Sequence, residues 1–144
     1  MDAHLSANMS THVGDVETHV RENRQRLHEM TGLADIRWLK QTHGSRVVKI
    51  GRHVDPVDDQ GSAPVADAQW TDATGIGLAI VSADCFPVVI ADVSGSVVGI
   101  AHCGWRGAVS GVLESLIAEM GRRSATLNAW MGPGICKQCY EVGP

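Results

Sequence analysis

Three residues of types that commonly bind metal ions stand beside turns in the middle of this 144-residue chain. Cys85 follows one short apolar run and His102 follows another, with room for one hairpin between them. Ligands in α/β proteins commonly bind where strands end, so a thiolate and an imidazole are expected at the same edge of one sheet. His43, in a loop before a glycine, is the best candidate for a third ligand. Two histidines and one cysteine are an accepted ligand set for catalytic zinc, with a fourth position open.

Each of these residues alone would be a weak indication of a metal site. A buried free cysteine is common and usually inert, and a histidine in a loop is usually a polar surface residue. Copper is the alternative metal, but multicopper sites use many imidazoles, often as His-x-His pairs, and the seven histidines contain no such pair. One mixed cysteine and histidine site suits zinc better, although copper could occupy it. Asp84, beside Cys85, could orient a ligand or simply cap the turn.

Short β-branched runs predict the strands that position these residues. Runs at 78–81, 87–91 and 97–101 are bounded by turn residues, which is typical of buried strands. Further short strands are predicted at 36–39, 46–50, 67–71 and 125–131, and a loop rich in proline, glycine and aspartate at 51–66.

Two helices are predicted. The first has Asp15 as its N-cap, runs to about Met30 and stops at Gly32. Its apolar stripe is Val16, Val20, Leu27 and Met30. Continuing this stripe reaches Arg24, which spacing alone places at the solvent boundary, because charges are rarely buried. The alternative is that Arg24 points into a site that binds an anion.

The second helix is predicted over 109–120, with Gly121 as its stop. A turn with glycine at both ends, 104–107, precedes it. Such a turn could offer backbone N–H groups to an anion at the helix N-terminus. A tight turn from strand to helix that needs glycine only for its geometry explains the sequence equally well.

Composition narrows the classes of function. The length allows one domain with a real core. The net charge of −4 argues against a nucleic-acid partner, which would need a basic face. No apolar run approaches the roughly 18 residues of a membrane span, and residues 1–15 carry no secretory pattern. The four cysteines are interpreted as thiols of a cytoplasmic protein.

Cys136 and Cys139 form an isolated C-x-x-C motif. Without a second ligand pair it is a weak metal signal, and without a βαβ context it is a weak redox signal. It also matches half of the zinc-deaminase signature, but Pro133 stands two residues too early and no His-x-Glu exists in the chain. A structural role is the favoured interpretation.

Several segments together resemble the YfiH family, also called the laccase-domain or polyphenol oxidase family. They are GDVETHVRENRQRL, KQTHGSRVV, ADAQWT, GLAIVSADCFPVVI, GIAHCGWRG and GPGICKQCYEVG. The pair ADC-x-P and H-x-GWRG is highly specific, and the resemblance runs from about Asn8 to the C-terminus. It implies an α/β fold, a layered sandwich around a mixed sheet. Family members extend further at both ends, so residues 1–144 are expected to be a single, partial domain truncated at both ends.

The resemblance also implies roles for individual residues. The family's metal ligands fall on His43, Cys85 and His102. Its phosphate- and ribose-side residues fall on Asn8 and Arg24, which favours the anion-binding interpretation of Arg24. Asp67 and Arg106 match further family positions, and we expect them to bind substrate or phosphate.

The activity implied by the resemblance is phosphorolysis of adenosine, inosine, guanosine or methylthioadenosine, with adenosine deamination as a side activity. Zinc is the expected cofactor, and the partners are a purine nucleoside and phosphate, without nucleic acid or membrane. Arg24 and a helix N-terminus after Gly107 would hold the phosphate. The alternatives are copper-dependent oxidation of phenols, hydrolytic editing of cell-wall precursors, and a fragment that keeps the fold without activity.

Overall fold

A central mixed sheet and a smaller two-stranded sheet carry the chain. The structure is a computed structural model that describes residues 7–33, 35–52 and 63–141. The strands are β1 (Asp35–Arg37), β2 (Val47–Lys49), β3 (Ala68–Thr71), β4 (Ile76–Leu78), β5 (Phe86–Asp92), β6 (Val98–Cys103) and β7 (Leu127–Met131), and the helices are α1 (Glu17–Thr31), α2 (Trp105–Val109) and α3 (Val112–Met120). The central sheet has the order β2-β3-β6-β5-β7, and β1 pairs with β4.

Strand directions make the central sheet mixed. β2 and β3 are parallel, whereas the pairs β3 with β6, β6 with β5, and β5 with β7 are antiparallel. The helix α3 packs on this sheet against β2, β3 and β6. The layered α/β fold with a mixed sheet that the sequence predicts is therefore confirmed.

The main core lies between α3 and the central sheet. Val112, Leu116 and Met120 recur every four residues and are buried, which places one face of α3 on the strands. Gly99 in β6 allows the close approach, because a Cβ there would lie 2.9 Å from Leu116 Cδ1. The buried residues of this core are Ala68, Trp70, Val88, Ile90, Val97, Ala101, Val112, Leu116 and Met120.

A second, smaller core connects the two sheets. Its buried members are Leu39, Val48, Ile50 and Ala66. The buried side chain of Gln69 in β3 donates from Nε2 to the carbonyl oxygens of Arg37 and Ala79, at 3.0 and 2.8 Å. This amide joins the central sheet to the chain beside β1 and β4.

The first helix differs from the prediction at its start and along its apolar stripe. Its N-cap is Val16 rather than Asp15. The carboxylate of Asp15 instead accepts a hydrogen bond from the backbone N–H of Val16. Gly32 ends the helix in the left-handed region, at φ 66°, as predicted. Of the expected stripe only Val20 is buried, while Met30 is 85% exposed. A single buried apolar side chain leaves α1 lying on the surface.

The predicted helix over 109–120 is wrong in its first part, because it is two helices. Gly111, at φ 79°, separates α2 from α3, and Gly121 ends α3 at φ 62°. Val109 belongs to α2 and is 83% exposed rather than part of the stripe. The N-cap of α2 is Gly104, so Gly107 lies inside the helix. The predicted helix N-terminus after Gly107 is therefore wrong.

Two strand predictions also change. Of the run 78–81 only its first residue is in a strand, β4, and that strand lies outside the central sheet. The predicted strand over 125–131 shortens to β7, an edge strand whose last four residues are exposed rather than half-buried. Within the predicted loop 51–66, residues 53–62 lie outside the described residues. The predicted runs 36–39, 46–50, 67–71, 87–91 and 97–101 correspond to β1, β2, β3, β5 and β6.

Candidate metal centre

The β5–β6 hairpin brings Cys85 and His102 to one edge of the central sheet. Pro87 pairs with His102 across the two antiparallel strands, and Cys85 comes directly before β5. Ser82 donates a hydrogen bond to the carbonyl oxygen of Cys85, closing the turn that carries the thiol. The predicted arrangement of one hairpin with both side chains at the same edge is confirmed.

His43 completes a group of three ligands. One ligand atom from each of His43, Cys85 and His102 lies within 4.8 Å of the other two. The two imidazole rings meet edge to face, with their centroids 4.7 Å apart. His102 is buried, Cys85 is half-buried and His43 is exposed, so the group opens from the core towards solvent. A cluster of this composition can bind a metal ion.

The carboxylate of Asp67 fixes both histidines from behind. It is fully buried and accepts hydrogen bonds from the backbone N–H groups of Thr42, His43 and Gly44, at 2.8–3.2 Å. The turn that aims these groups at Asp67 holds His43 in the left-handed region, at φ 60°. Such strain in a residue other than glycine persists only where its surroundings enforce it.

Asp67 also sets the tautomer of His102. The Nδ1 atom of His102 lies 3.0 Å from Oδ1 of Asp67. Burial by itself raises the pKa of Asp67, but the hydrogen bonds from His102 and from the three N–H groups outweigh it and hold the pKa well below its usual range. An ionised carboxylate can only accept, so His102 donates from Nδ1 and keeps a lone pair on Nε2 for a metal.

The absence of a side chain at Gly104 leaves room for the thiol of Cys85. A Cβ on Gly104 would lie 2.7 Å from Cys85 Sγ and 3.3 Å from Cδ2 of His43. Burial, together with the charges of Asp84 and Asp67, raises the pKa of Cys85. A bound cation would reverse this effect, because it stabilises the thiolate. The donors, the orienting carboxylate and the space left by Gly104 fit a metal ion with an open position.

The ligand group lies in the wall of a cavity of about 880 Å³. The loop before α1 supplies another part of this wall, including Asn8 and His12. The side chain of Asn8 bonds within its own loop, accepting from Ser10 N and donating to Asp15 Oδ2 at 2.8 Å. Asn8 thus lies in the cavity wall, and its role on the substrate side stays a prediction.

Arg24 lies behind this loop. Its Nε and Nη2 both donate to the carbonyl oxygen of Met9, at 2.9 and 2.8 Å, and its guanidinium carbon lies 4.0 Å from the centroid of the Trp38 ring. The side chain is half-buried, and burial lowers its pKa. Arg24 thus fixes the loop against Trp38, and both Met9 and Trp38 line the cavity.

The other two expected substrate residues lie away from the cavity wall. The carboxylate of Asp67 is fully occupied behind the histidines, where it positions ligands. Arg106 is exposed on α2, with its guanidinium 4.5 Å from the ring of Trp105. Of the four expected substrate residues, only Asn8 contributes to the cavity wall.

Comparison with known proteins identifies the family. A family model described as multi-copper polyphenol oxidoreductase laccase matches residues 2–144. The chain belongs to this laccase family. It is 42% identical over 137 residues to the purine nucleoside phosphorylase of Xylella fastidiosa (strain 9a5c), covering 94% of this chain and 52% of the relative. It is 35% identical to adenosine deaminase RL5 from an unknown prokaryotic organism, covering 99% of this chain and 57% of that protein.

Solved structures of similar proteins share the fold. The crystal structure of Neisseria meningitidis protein NMB0706 matches with a TM-score of 0.84 and 37% identity, over 96% of this chain and 54% of that one. The laccase-family chain described here thus spans about half the length of the relatives it matches. Among the described residues, no helix combines the length and apolar character needed to cross a membrane.

Several residues of the cavity wall of this laccase-family chain have no clear signal in the sequence. Gln41 donates to the carbonyl oxygen of Val81 and accepts its N–H, both at 2.8 Å, and so holds the irregular wall after β4. Trp38 and His12 also line the cavity. The only sequence signal was composition, four tryptophans against one phenylalanine and one tyrosine. That excess did not indicate which tryptophan would face a site.

Proposed function

We propose that this chain carries the metal centre of a purine nucleoside phosphorylase, which cleaves nucleosides with phosphate to a free base and a pentose 1-phosphate. The observation that carries the proposal is the group His43, Cys85 and His102, whose ligand atoms lie within 4.8 Å of one another in the cavity wall. The similarity to the enzyme named purine nucleoside phosphorylase in Xylella fastidiosa supplies the reaction. Adenosine, inosine, guanosine and methylthioadenosine are the proposed substrates.

Zinc is the metal we propose for this group. Two histidines and a cysteine with an open fourth position are a catalytic zinc arrangement. Across residues 7–33, 35–52 and 63–141, no second group of three such ligands accompanies it. Multicopper oxidation of phenols needs more than one centre, so this observation favours zinc over the copper alternative.

Each part of the site has a proposed role. Bound zinc supplies Lewis-acid polarisation of a substrate oxygen. Asp67 holds His102 in the tautomer that can bind the metal. His12 and Asp84 lie in the cavity wall outside the ligand group. We propose that they deliver the proton that a departing purine base requires.

Phosphate binding is assigned to the side of the cavity near Asn8 and Arg24. The Nε and Nη2 groups of Arg24 are bonded to Met9, and Nη1 has no hydrogen-bond partner among the described residues. A guanidinium matches the geometry of phosphate oxygens. Arg106 stays a predicted phosphate residue, although it lies on α2 away from the cavity wall.

Adenosine deamination is a second proposed activity of the same centre. It is supported by the 35% identity to the protein named adenosine deaminase RL5. A metal held by His43, Cys85 and His102 would supply the Lewis acidity that such a hydrolytic reaction requires. A cytoplasmic location also stays a prediction. It is supported by the four cysteines, all of which are free thiols, as in a reducing compartment.

The test measures metal content and phosphate dependence on the same purified chain. We expect one zinc per chain by mass spectrometry, and release of free base from the four nucleosides only when phosphate is present. His43→Ala should lose both, while His19→Ala, a matched change of an exposed histidine on α1, should keep both. Retention of zinc by His43→Ala would contradict the ligand group. Base release without phosphate would contradict phosphorolysis, and oxygen uptake with a phenol would support the oxidase alternative.

A further inference from the structure

The C-x-x-C motif brings two exposed thiols together outside the metal centre. The Sγ atoms of Cys136 and Cys139 lie 3.2 Å apart. Both side chains are free and exposed, so neither contributes to the core. Neither belongs to the metal-binding group or to the cavity wall. The pair therefore has no part in the function proposed above.

We propose that Cys136 and Cys139 form a reversible redox site that exchanges with small-molecule disulfides. The thiolate of Cys136 attacks one sulfur of a disulfide R–S–S–R, forming a mixed disulfide and releasing the first R–S⁻. The thiolate of Cys139 then attacks Cys136 Sγ, closing the protein disulfide and releasing the second R–S⁻. The protons lost by the two cysteines end on two R–SH molecules. The protein pair loses two electrons and the small disulfide gains them.

The backbone around the pair holds the two sulfurs within reach. Cys136 precedes a short 3-10 turn, and the N–H of Cys139 donates to the carbonyl oxygen of Cys136 at 3.0 Å. The residue before the pair, Ile135, donates its N–H to the carbonyl oxygen of Asp84 at 2.8 Å. This anchor fixes the turn to the chain before β5. Two thiols held close in this way exchange as a pair, because the second attack is intramolecular.

Local contacts distinguish the two cysteines. The contact with Cys139, together with backbone N–H groups of the turn, lowers the pKa of Cys136, while the same contact raises the pKa of Cys139. A thiolate is the attacking species in exchange, and an exposed thiol of lowered pKa is the more reactive one. The lowered pKa of Cys136 supports a first attack by this cysteine, and the 3.2 Å between the two Sγ atoms places Cys139 within reach for the closing step.

A metal is a poorer occupant for the pair. Structural zinc sites need four ligands. In the part of the chain that the structure describes, the only group of three or more candidate ligands is the one at His43, Cys85 and His102. Two thiols without further ligands favour exchange over metal binding.

The test exposes the reduced chain to oxidised glutathione and identifies the products by alkylation and peptide mass spectrometry. We expect the wild-type chain to form the 136–139 disulfide without a glutathione adduct, and an excess of reduced glutathione to reopen it. Cys139→Ser should accumulate a glutathione adduct on Cys136, because the closing thiol is missing. Cys103→Ala is the control, since it removes a half-buried thiol of the core and leaves the pair intact.

Three results would overturn the proposal. They are free thiols at both positions under an excess of oxidised glutathione, a disulfide that reduced glutathione does not reopen, and a wild-type chain that stops at the adduct. The side chain of Cys139 is exposed, so we expect Cys139→Ser to fold, and thermal melts of this variant and of Cys103→Ala check this. The readouts do not involve nucleosides, so failure of the proposed function leaves this test unaffected.

Discussion

Replacing the buried carboxylate of Asp67 by an amide tests most directly whether this carboxylate positions His43 and His102. Both oxygens of Asp67 accept hydrogen bonds, Oδ1 from His43 N and His102 Nδ1, and Oδ2 from Gly44 N and from Thr42 N and Oγ1. In Asp67→Asn one of the two positions carries an NH₂ group, which cannot accept. Whichever way the amide turns, at least two donors lose their acceptor.

The expected loss of stability follows from these donors. A buried donor without a partner costs about 1–3 kcal/mol, so two of them cost about 2–6 kcal/mol. Folded domains have only about 5–15 kcal/mol of stability in total, so Asp67→Asn should be severely destabilised. Urea denaturation at neutral pH measures the loss. The control is Asp72→Asn, where an exposed carboxylate bonds to Lys49 and the change should leave the urea midpoint close to that of the wild type.

The loss should also depend on pH in a defined direction. The pKa of Asp67 is lowered on folding, so the unfolded chain binds its proton more readily. The stabilisation is present above the unfolded pKa of about 3.9 and declines as the pH falls below it towards the folded pKa. Asp67→Asn carries no such proton, so its deficit relative to wild type should shrink below about pH 4.

Metal affinity supplies the second readout of the same variant. The carboxylate fixes the His102 tautomer, and losing such a partner typically costs about 10–100-fold in metal affinity. Equal free energies of unfolding in Asp67→Asn and wild type would refute the hydrogen-bond argument. Unchanged zinc affinity in a folded variant would refute the positioning role.

Two further substitutions test other parts of the site. Gly104→Ala should weaken zinc binding at least about tenfold. The new Cβ would lie only 2.7 Å from Cys85 Sγ and would displace this ligand atom. Competition with a chelator measures the zinc affinity. Gly51→Ala, which meets no atom within 4 Å, should not change zinc binding, and an equal loss in both would contradict the reasoning. Arg24→Lys should raise the KM for phosphate about tenfold, because lysine has neither the fork nor the planar ring contact of arginine. The control is Arg26→Lys on the exposed face of α1, which should keep the wild-type KM in steady-state assays. An unchanged KM for phosphate in Arg24→Lys would show that Arg24 does not bind phosphate.

Local sequence patterns predicted the hairpin and the grouping of its ligands. The run after Cys85 and the run before His102 have the composition of strands, and an antiparallel pair of that length brings its open ends together. His43 joined the prediction as the best remaining candidate. Nothing local to that loop indicated that its backbone turns onto a buried carboxylate.

The errors have physical causes that a local pattern does not contain. The helical period continues through Val109, and the break depends on the left-handed conformation of Gly111, which a glycine within a helix does not always adopt. The run 78–81 has strand composition, but its backbone bonds to β1 only as far as Ala79, and side chains of Gln41 and Gln69 also bond to it. The role of Asp67 depends on partners far away in the chain, which one sequence cannot indicate.

The turn onto Asp67 also has a consequence for local unfolding. Loop amides commonly exchange their hydrogens with solvent through small openings that cost little free energy. The amides at 42–44 lie outside any strand or helix, yet they donate to a carboxylate that is fully buried beneath the central sheet's edge. Releasing one of them exposes a charge that the other donors stabilise, so we expect the three to open together with the core. The amides of the loop that carries His43 should then exchange as slowly as those of the central sheet, although the loop has the appearance of a surface turn.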